Sequence, residues 1–247
     1  MNSLEWLQYF EQNRKNRTEP SWHIPSPLDT HTQKILCRSL SHFQLGESGE
    51  GTHLLRHAQE QAPDDVNYRA ALALFIAEEK EHARLLAQLV ARFGGRTIRR
   101  HWTHGMFRLL RHGLGLNFEI QVLVIAELIG TAYYKMLKAR ARDPVLDEVC
   151  GLFLRDEAQH IAFHVAWLGA ILSRWLPAER AVWSLQFQAL FTAAARAAWI
   201  DHAAALEITG GYRREFFQIA RSECIRFLGA LDEAETRRSP FAQIVLN

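Results

Sequence analysis

Glu79-Lys80-Glu81-His82-Ala83-Arg84-Leu85-Leu86 carries a glutamate and a histidine three residues apart, and the spacing returns in Arg155-Asp156-Glu157-Ala158-Gln159-His160. On a helix, positions i and i+3 project from one face, so each pair offers a carboxylate and an imidazole to the same point. Each copy lies in a stretch of helical periodicity and follows another helix with a candidate carboxylate: Glu47 or Glu50 before the first, Glu127 before the second. Two histidines and four carboxylates from four helices are the ligand set of a two-metal site inside a four-helix bundle. The donor mix suits iron or manganese.

A lone Glu-x-x-His is common on solvated helix faces, and the charge density of Ala77 to His82 fits that bland explanation. Glu127 does not. It stands amid Val122, Leu123, Val124, Ile125, Leu128 and Ile129, where an unpaired carboxylate is expensive to bury. Counting from the turns gives the axial level of each acid. Glu79 lies fifteen residues after Asp64, Glu47 seventeen before it and Glu50 fourteen before it, so level alone does not choose between the last two. About Asp143 the same count pairs Glu127 with Glu157 and leaves Glu119 about 12 Å beyond Glu127. Glu78, Glu81 and Asp156 go to solvent or to outer hydrogen bonds. Behind the two histidines some acid or carbonyl must fix the second ring nitrogen, and Asp156 and Asp201 are the candidates. His164, four residues past His160, shares its face as a third histidine ligand, a donor to an acidic partner, or a core residue.

Helix boundaries follow from proline and glycine. Residues 1–27 read as an arm or short helix that Trp6, Tyr9, Phe10 and Trp22 pack on the bundle, with Pro20, Pro25 and Pro27 preventing a longer helix. The first long helix runs from Asp29 or Thr30 to about Ala62. The second follows Pro63-Asp64-Asp65 and stops at Gly94-Gly95. A basic connector, Arg96 to His112, leads to the third helix, about Leu116 to Arg140, with a short helix expected around Met106 to Leu110. The fourth runs from Asp143-Pro144 to about Trp175, the fifth from Leu176-Pro177 to Gly210-Gly211, and the sixth from Tyr212 to about Leu231. The apolar end Phe241 to Leu246 is expected to tuck into a groove or a neighbouring subunit. The expected architecture is all-α and one domain over 1–247: a core bundle at about 29–175, an N-terminal arm, and two additional C-terminal helices at about 178–231.

Apolar residues make up 48% and charged residues 23% of the 247, which describes an ordinary helical protein. Lysine plus arginine exceed aspartate plus glutamate by 29 to 27, so no global field argues for nucleic acid or an acidic membrane. The runs at Val122 to Ala126 and Phe191 to Ile200 fall short of the roughly 20 apolar residues that cross a bilayer. The first residues lack a basic flank and apolar core, and Cys37, Cys150 and Cys224 are scattered, so a cytoplasmic protein with reduced core thiols is expected.

The two motif stretches, with Glu127 ahead of Tyr133-Tyr134 and Glu47 in Phe43-Gln44-Leu45-Gly46-Glu47, resemble the ferritin-like superfamily of di-iron carboxylate proteins over about residues 30 to 175. That superfamily includes bacterioferritin, rubrerythrin, the small subunit of ribonucleotide reductase, aldehyde-deformylating oxygenase and arylamine N-oxygenase. The resemblance implies two metal ions, an iron pair or a manganese and iron pair, on Glu47, Glu79, His82, Glu127, Glu157 and His160. Arylamine N-oxygenases carry an extra ligand histidine one turn before the fourth-helix glutamate, and Phe153 stands there, which argues against that subgroup.

The function expected is a di-iron oxidase or oxygenase that uses dioxygen on a small, apolar substrate and takes electrons from an unidentified donor. Tyr134 and His164 are its candidate catalytic residues, and a homodimer through a long helix face is compatible with the pattern. The alternatives are a ferroxidase or iron store, which would have to fit about seventy residues after Trp175 into a cage, and a hydroxylase of a tRNA base. The second alternative rests on the basic, aromatic connector.

Overall fold

Three aspartates and one asparagine cap four of the eight helices among the described residues. In the computed structural model, which describes residues 1–102, 105 and 116–236, helix α1 (Ser3–Lys15) is capped by the Asn2 side chain, which accepts from Glu5 N. Asp29 accepts from His31 N and Thr32 N at the head of α2 (Thr30–Glu47), and Asp65 accepts from Tyr68 N at the head of α4 (Val66–Arg92). Each such cap satisfies donors the helix cannot, and its loss costs about 0.5–2 kcal/mol. Asp143 does the same for α6 (Pro144–Leu172), with Pro144 in the first turn, where its missing N–H costs nothing. The connection expected to hold a helix at Met106 to Leu110, and the end segment Phe241 to Leu246, lie outside the described residues.

The first long helix is interrupted. Instead of running to Ala62, the chain makes α2 and then α3 (Thr52–Gln61), separated by Ser48 to Gly51. Gly51 has φ +68°, and a Cβ there would meet Ile76 side-chain atoms at 2.6 and 2.8 Å, so glycine satisfies both the conformation and the packing. The break leaves Glu47 as the last residue of α2 and Glu50 in the exposed link.

Helix α5 (Leu116–Arg140) is apolar around its whole circumference, as befits a helix surrounded by others. Its length and mean hydropathy of 1.3 match those of a membrane span, contrary to the expectation from its apolar runs, but 83% of that stretch is buried by the other helices. It packs with α6 as one hairpin, while α2 and α4 form the other. Helix α7 (Pro177–Ile208) lies across α2 and α5, and α8 (Arg213–Thr236), longer than expected at its C-terminal end, lies on α5 and α6. No strand occurs among the described residues, and Cys37, Cys150 and Cys224 are buried free thiols.

The arm docks through one stripe. Trp6 and Phe10, both buried, meet Phe163 of α6 at ring-centroid distances of 5.3 Å. Burial of each ring contributes roughly 1.5–3 kcal/mol and fixes the next turn of α1, with Asn13, against the bundle.

Candidate metal centre

Helices α4 and α6 carry their Glu-x-x-His turns side by side in the bundle interior, and each histidine is held from the opposite helix. His82 Nε2 lies 2.9 Å from Asp156 Oδ2, and His160 Nε2 lies 3.0 Å from Glu78 Oε2. A carboxylate accepting at Nε2 puts the hydrogen there and leaves the lone pair on Nδ1, which is how an outer acid prepares a histidine to bind a metal. Both Nδ1 atoms are buried with no hydrogen-bond partner.

Those lone pairs face other acceptors. His160 Nδ1 lies 3.0 Å from Glu79 Oε1 without hydrogen-bond alignment and 3.7 Å from Glu157 Oε2. His82 Nδ1 lies 3.6 Å from Glu157 Oε1 and 3.8 Å from Glu79 Oε1. Glu79 Oε1, Glu157 Oε2 and Glu127 Oε2 are likewise buried and unpartnered. Atoms from Glu47, Glu79 and His82 fall within 4.8 Å of one another, as do atoms from Glu79, Glu157 and His160, so Glu79 belongs to both groups. Buried acceptors directed at acceptors are costly unless a cation lies among them, and this donor set fits a pair of divalent metals.

Protonation reflects that crowding. Burial, then the nearby Glu79 charge, pushes the Glu47 carboxyl well above the usual carboxylate range. Burial raises Glu157 to about 7 against the pull of His160. Burial acts on Glu79 in the same direction, but the contacts from His160 overcome it and hold that carboxyl well below its ordinary value.

Glu127, also buried, lies in neither three-residue group. Its Oε1 sits 3.1 Å from His164 Nε2, so His164, with no exposure, is the partner of a candidate ligand. The Tyr134 hydroxyl is buried without a partner, and burial, then the charges of Glu47 and Glu157, raises its pKa well above 10. Tyr133 differs, since its hydroxyl lies 2.6 Å from Ser39 Oγ. Glu119 is fully buried on His57, and Asp201 sits 3.6 Å from His101 Nδ1, behind neither motif histidine.

Sequence reasoning left out the arm's contribution. Asn13 Nδ2 donates to Glu78 Oε1 at 2.7 Å and to Asp156 Oδ1 at 3.1 Å, bridging the two acids that hold the histidines. Arg17 Nη2 donates to Asp156 Oδ2 at 2.5 Å. The signal was present: Asn13 follows Trp6 by seven residues and so lies on the same buried stripe.

A cavity of about 350 Å³ reaches this cluster. Glu47, Glu79, Glu127 and Glu157 line it at one end, Val122, Ile125 and Ala126 of α5 form one wall, and Leu190, Ala194 and Ala198 of α7 form the other.

Residues 49–224, more than two thirds of the chain, match the family model described as p-aminobenzoate N-oxygenase AurF. The chain belongs to the AurF family. AurF proteins are ferritin-like di-iron oxygenases, so this chain is an oxygenase with a dinuclear metal site, and its all-α bundle is the fold of that family. No curated protein and no solved structure matches the chain. The family match overturns the inference drawn from Phe153. That ring, fully buried, packs 4.4 Å from His82 and 4.9 Å from Tyr134, so in this AurF protein the position is filled by an apolar contact.

Proposed function

We propose that this chain N-oxygenates a small, largely apolar amine, with dioxygen as oxidant and electrons from a separate donor. The observation that carries the reading is the apolar cavity that ends on four glutamates. Its volume suits a compact molecule, and the four glutamates at one end belong to the cluster with unpartnered acceptors. Two irons are the metals we assign, on Glu47, Glu79, His82, Glu127, Glu157 and His160. When bound, they supply the reductive activation of dioxygen.

The protein residues do the rest. Glu79 and Glu157 each approach both Nδ1 atoms, so either carboxylate could serve both metals, while Glu47 and Glu127 would each add a further carboxylate. Phe75 and Phe153 pack against the imidazoles and exclude water. His164 holds Glu127 through Oε1 and leaves Oε2 available. Tyr134, a buried hydroxyl near Glu47 and Glu157, is placed to donate a proton or hydrogen bond at the centre.

The test is anaerobic loading with ferrous iron, then mixing with oxygen and a monocyclic aromatic amine. Two irons per chain, a transient visible absorption absent from His160→Ala, and a nitrogen-oxidised product are expected. Continued iron uptake into a mineral with no oxidised amine would favour storage instead. The tRNA hydroxylase alternative rests on the connector, most of which lies outside the described residues, and nothing in the site supports it.

A further inference from the structure

The cavity has a second polar end, away from the glutamates. It is lined there by His42 of α2 and by Asp201 and His202 of α7. His42 precedes Glu47 by five residues, so helix rise separates their levels by about 7.5 Å, close to the span of one aromatic ring with substituents at both ends. Asp201 Oδ2 lies 3.6 Å from His101 Nδ1, and its side chain is only 7% exposed. The His42 ring stacks on His101 at 3.8 Å, with its Nδ1 buried and unpartnered.

The chemistry of this end is that of an acceptor. Burial, then the neighbouring His101, lowers the His42 pKa, and burial holds His202 at about 3, so both rings are neutral at pH 7. His202 is already engaged, its Nδ1 2.8 Å from Ser39 Oγ and its ring stacked on Phe43. Among the described residues no lysine or arginine lines the cavity, and Arg38, one turn before His42, is exposed to solvent. A substrate carboxylate here would meet the Asp201 carboxylate with no lysine or arginine among the described lining residues to offset it, and like charges in a desolvated site repel strongly.

A metal ion is the competing occupant, since atoms of His42, His101 and Asp201 fall within 4.8 Å of one another. The ring geometry opposes it. Two imidazoles sharing a metal must aim their lone pairs at one point, whereas stacked rings only 27° apart direct them side by side.

We infer that Asp201, with His42 and His101 beside it, anchors a hydrogen-bond-donating substituent at the far end of the substrate, a hydroxyl, amide or amine, neutral or cationic. The oxidised nitrogen then lies at the glutamates, and substrates that end in a carboxylate are rejected. This rests on the cavity being the substrate site of the proposed N-oxygenase. It also separates this chain's preference from the aminobenzoate in its family's description.

The test is calorimetric titration of the anaerobic ferrous protein with 4-aminobenzylamine, 4-aminobenzamide and 4-aminobenzoate. The first two should bind roughly 10-fold or more tighter than the third, since a hydrogen bond to a charged group contributes about 1.5–3 kcal/mol. Asp201→Asn should weaken 4-aminobenzylamine by roughly 10-fold and narrow its lead over 4-aminobenzoate. Equal or tighter binding of 4-aminobenzoate by the unmodified protein overturns the anchor without reference to any variant. So does an unchanged ranking in a folded Asp201→Asn protein, or a third equivalent of zinc that disappears in His42→Ala. Product analysis under oxygen is scored separately: the predicted ranking without nitrogen oxidation would sink the reaction and leave the anchor, while oxidation with the opposite ranking would sink the anchor alone.

Discussion

Glu78→Gln is the cleanest perturbation of the metal centre, because it leaves every candidate ligand in place. Glu78 Oε2 holds His160 Nε2 at 3.0 Å in a site where Glu78 is 4% exposed and His160 is not exposed at all, so water cannot replace the lost acceptor charge. A glutamine keeps the shape but removes the charge that makes the imidazole a better donor to metal, and its amide can present N–H and invert the tautomer. Loss of such an outer partner costs about 10–100-fold in metal affinity, or about 1.4–2.7 kcal/mol. The loss should fall on one metal, the one served by His160, because His82 is held separately by Asp156 at 2.9 Å. Asp156→Asn should mirror it at the other metal, with an added cost to folding because Arg17, only 14% exposed, loses its acid. Anaerobic titration with cobalt against a chelator resolves two affinities. If Glu78→Gln weakens both metals equally, or neither, while circular dichroism shows an intact fold, the assignment of one acid to each histidine is wrong.

Removing the partner of Glu127 should spare metal content: His164→Ala is expected to keep both metals and change the rate of oxygen reaction by roughly 10–100-fold, and loss of one metal from a folded variant would make His164 a ligand. Metal analysis of Glu47→Ala and Glu50→Ala should show a loss in the first and two full metals in the second, since Glu47 is in the cluster and Glu50 is exposed; the reverse result would refute the first-helix assignment. His202 should make stability fall in mild acid. Its folded pKa of about 3 lies below the unfolded value near 6.5, so below pH 6.5 the unfolded chain binds a proton that the folded one refuses. Between pH 6.5 and 5 that group removes about 2 kcal/mol, and urea melts of His202→Gln should show a pH dependence shallower by that amount.

The four bundle helices were legible because the chain punctuates them strongly: Pro63, Gly94-Gly95 and Asp143-Pro144 sit where the turns fall. The division of the first helix was not. Counting residues treats a helix as continuous, so Glu47 and Glu50 looked equivalent until Gly51 took a left-handed conformation and put Glu50 in the link. The motif glutamates and histidines announce themselves by spacing, but which acid holds which histidine depends on how α4 and α6 face each other, and that lies in no single segment. Asp201 illustrates the limit. Its residue type suits a histidine partner, yet it meets His101 at the other end of the cavity.

The interruption after Glu47 also sets that residue's electrostatics. The carbonyl end of a helix carries the equivalent of about half a negative charge, so an anionic side chain on the last residue of α2 is disfavoured by its own backbone as well as by Glu79. A cation in the cluster reverses both penalties at once. Release of the Glu47 proton is therefore thermodynamically linked to cation binding, and the protons released on loading, counted against pH, are a built-in gauge of whether the centre is filled.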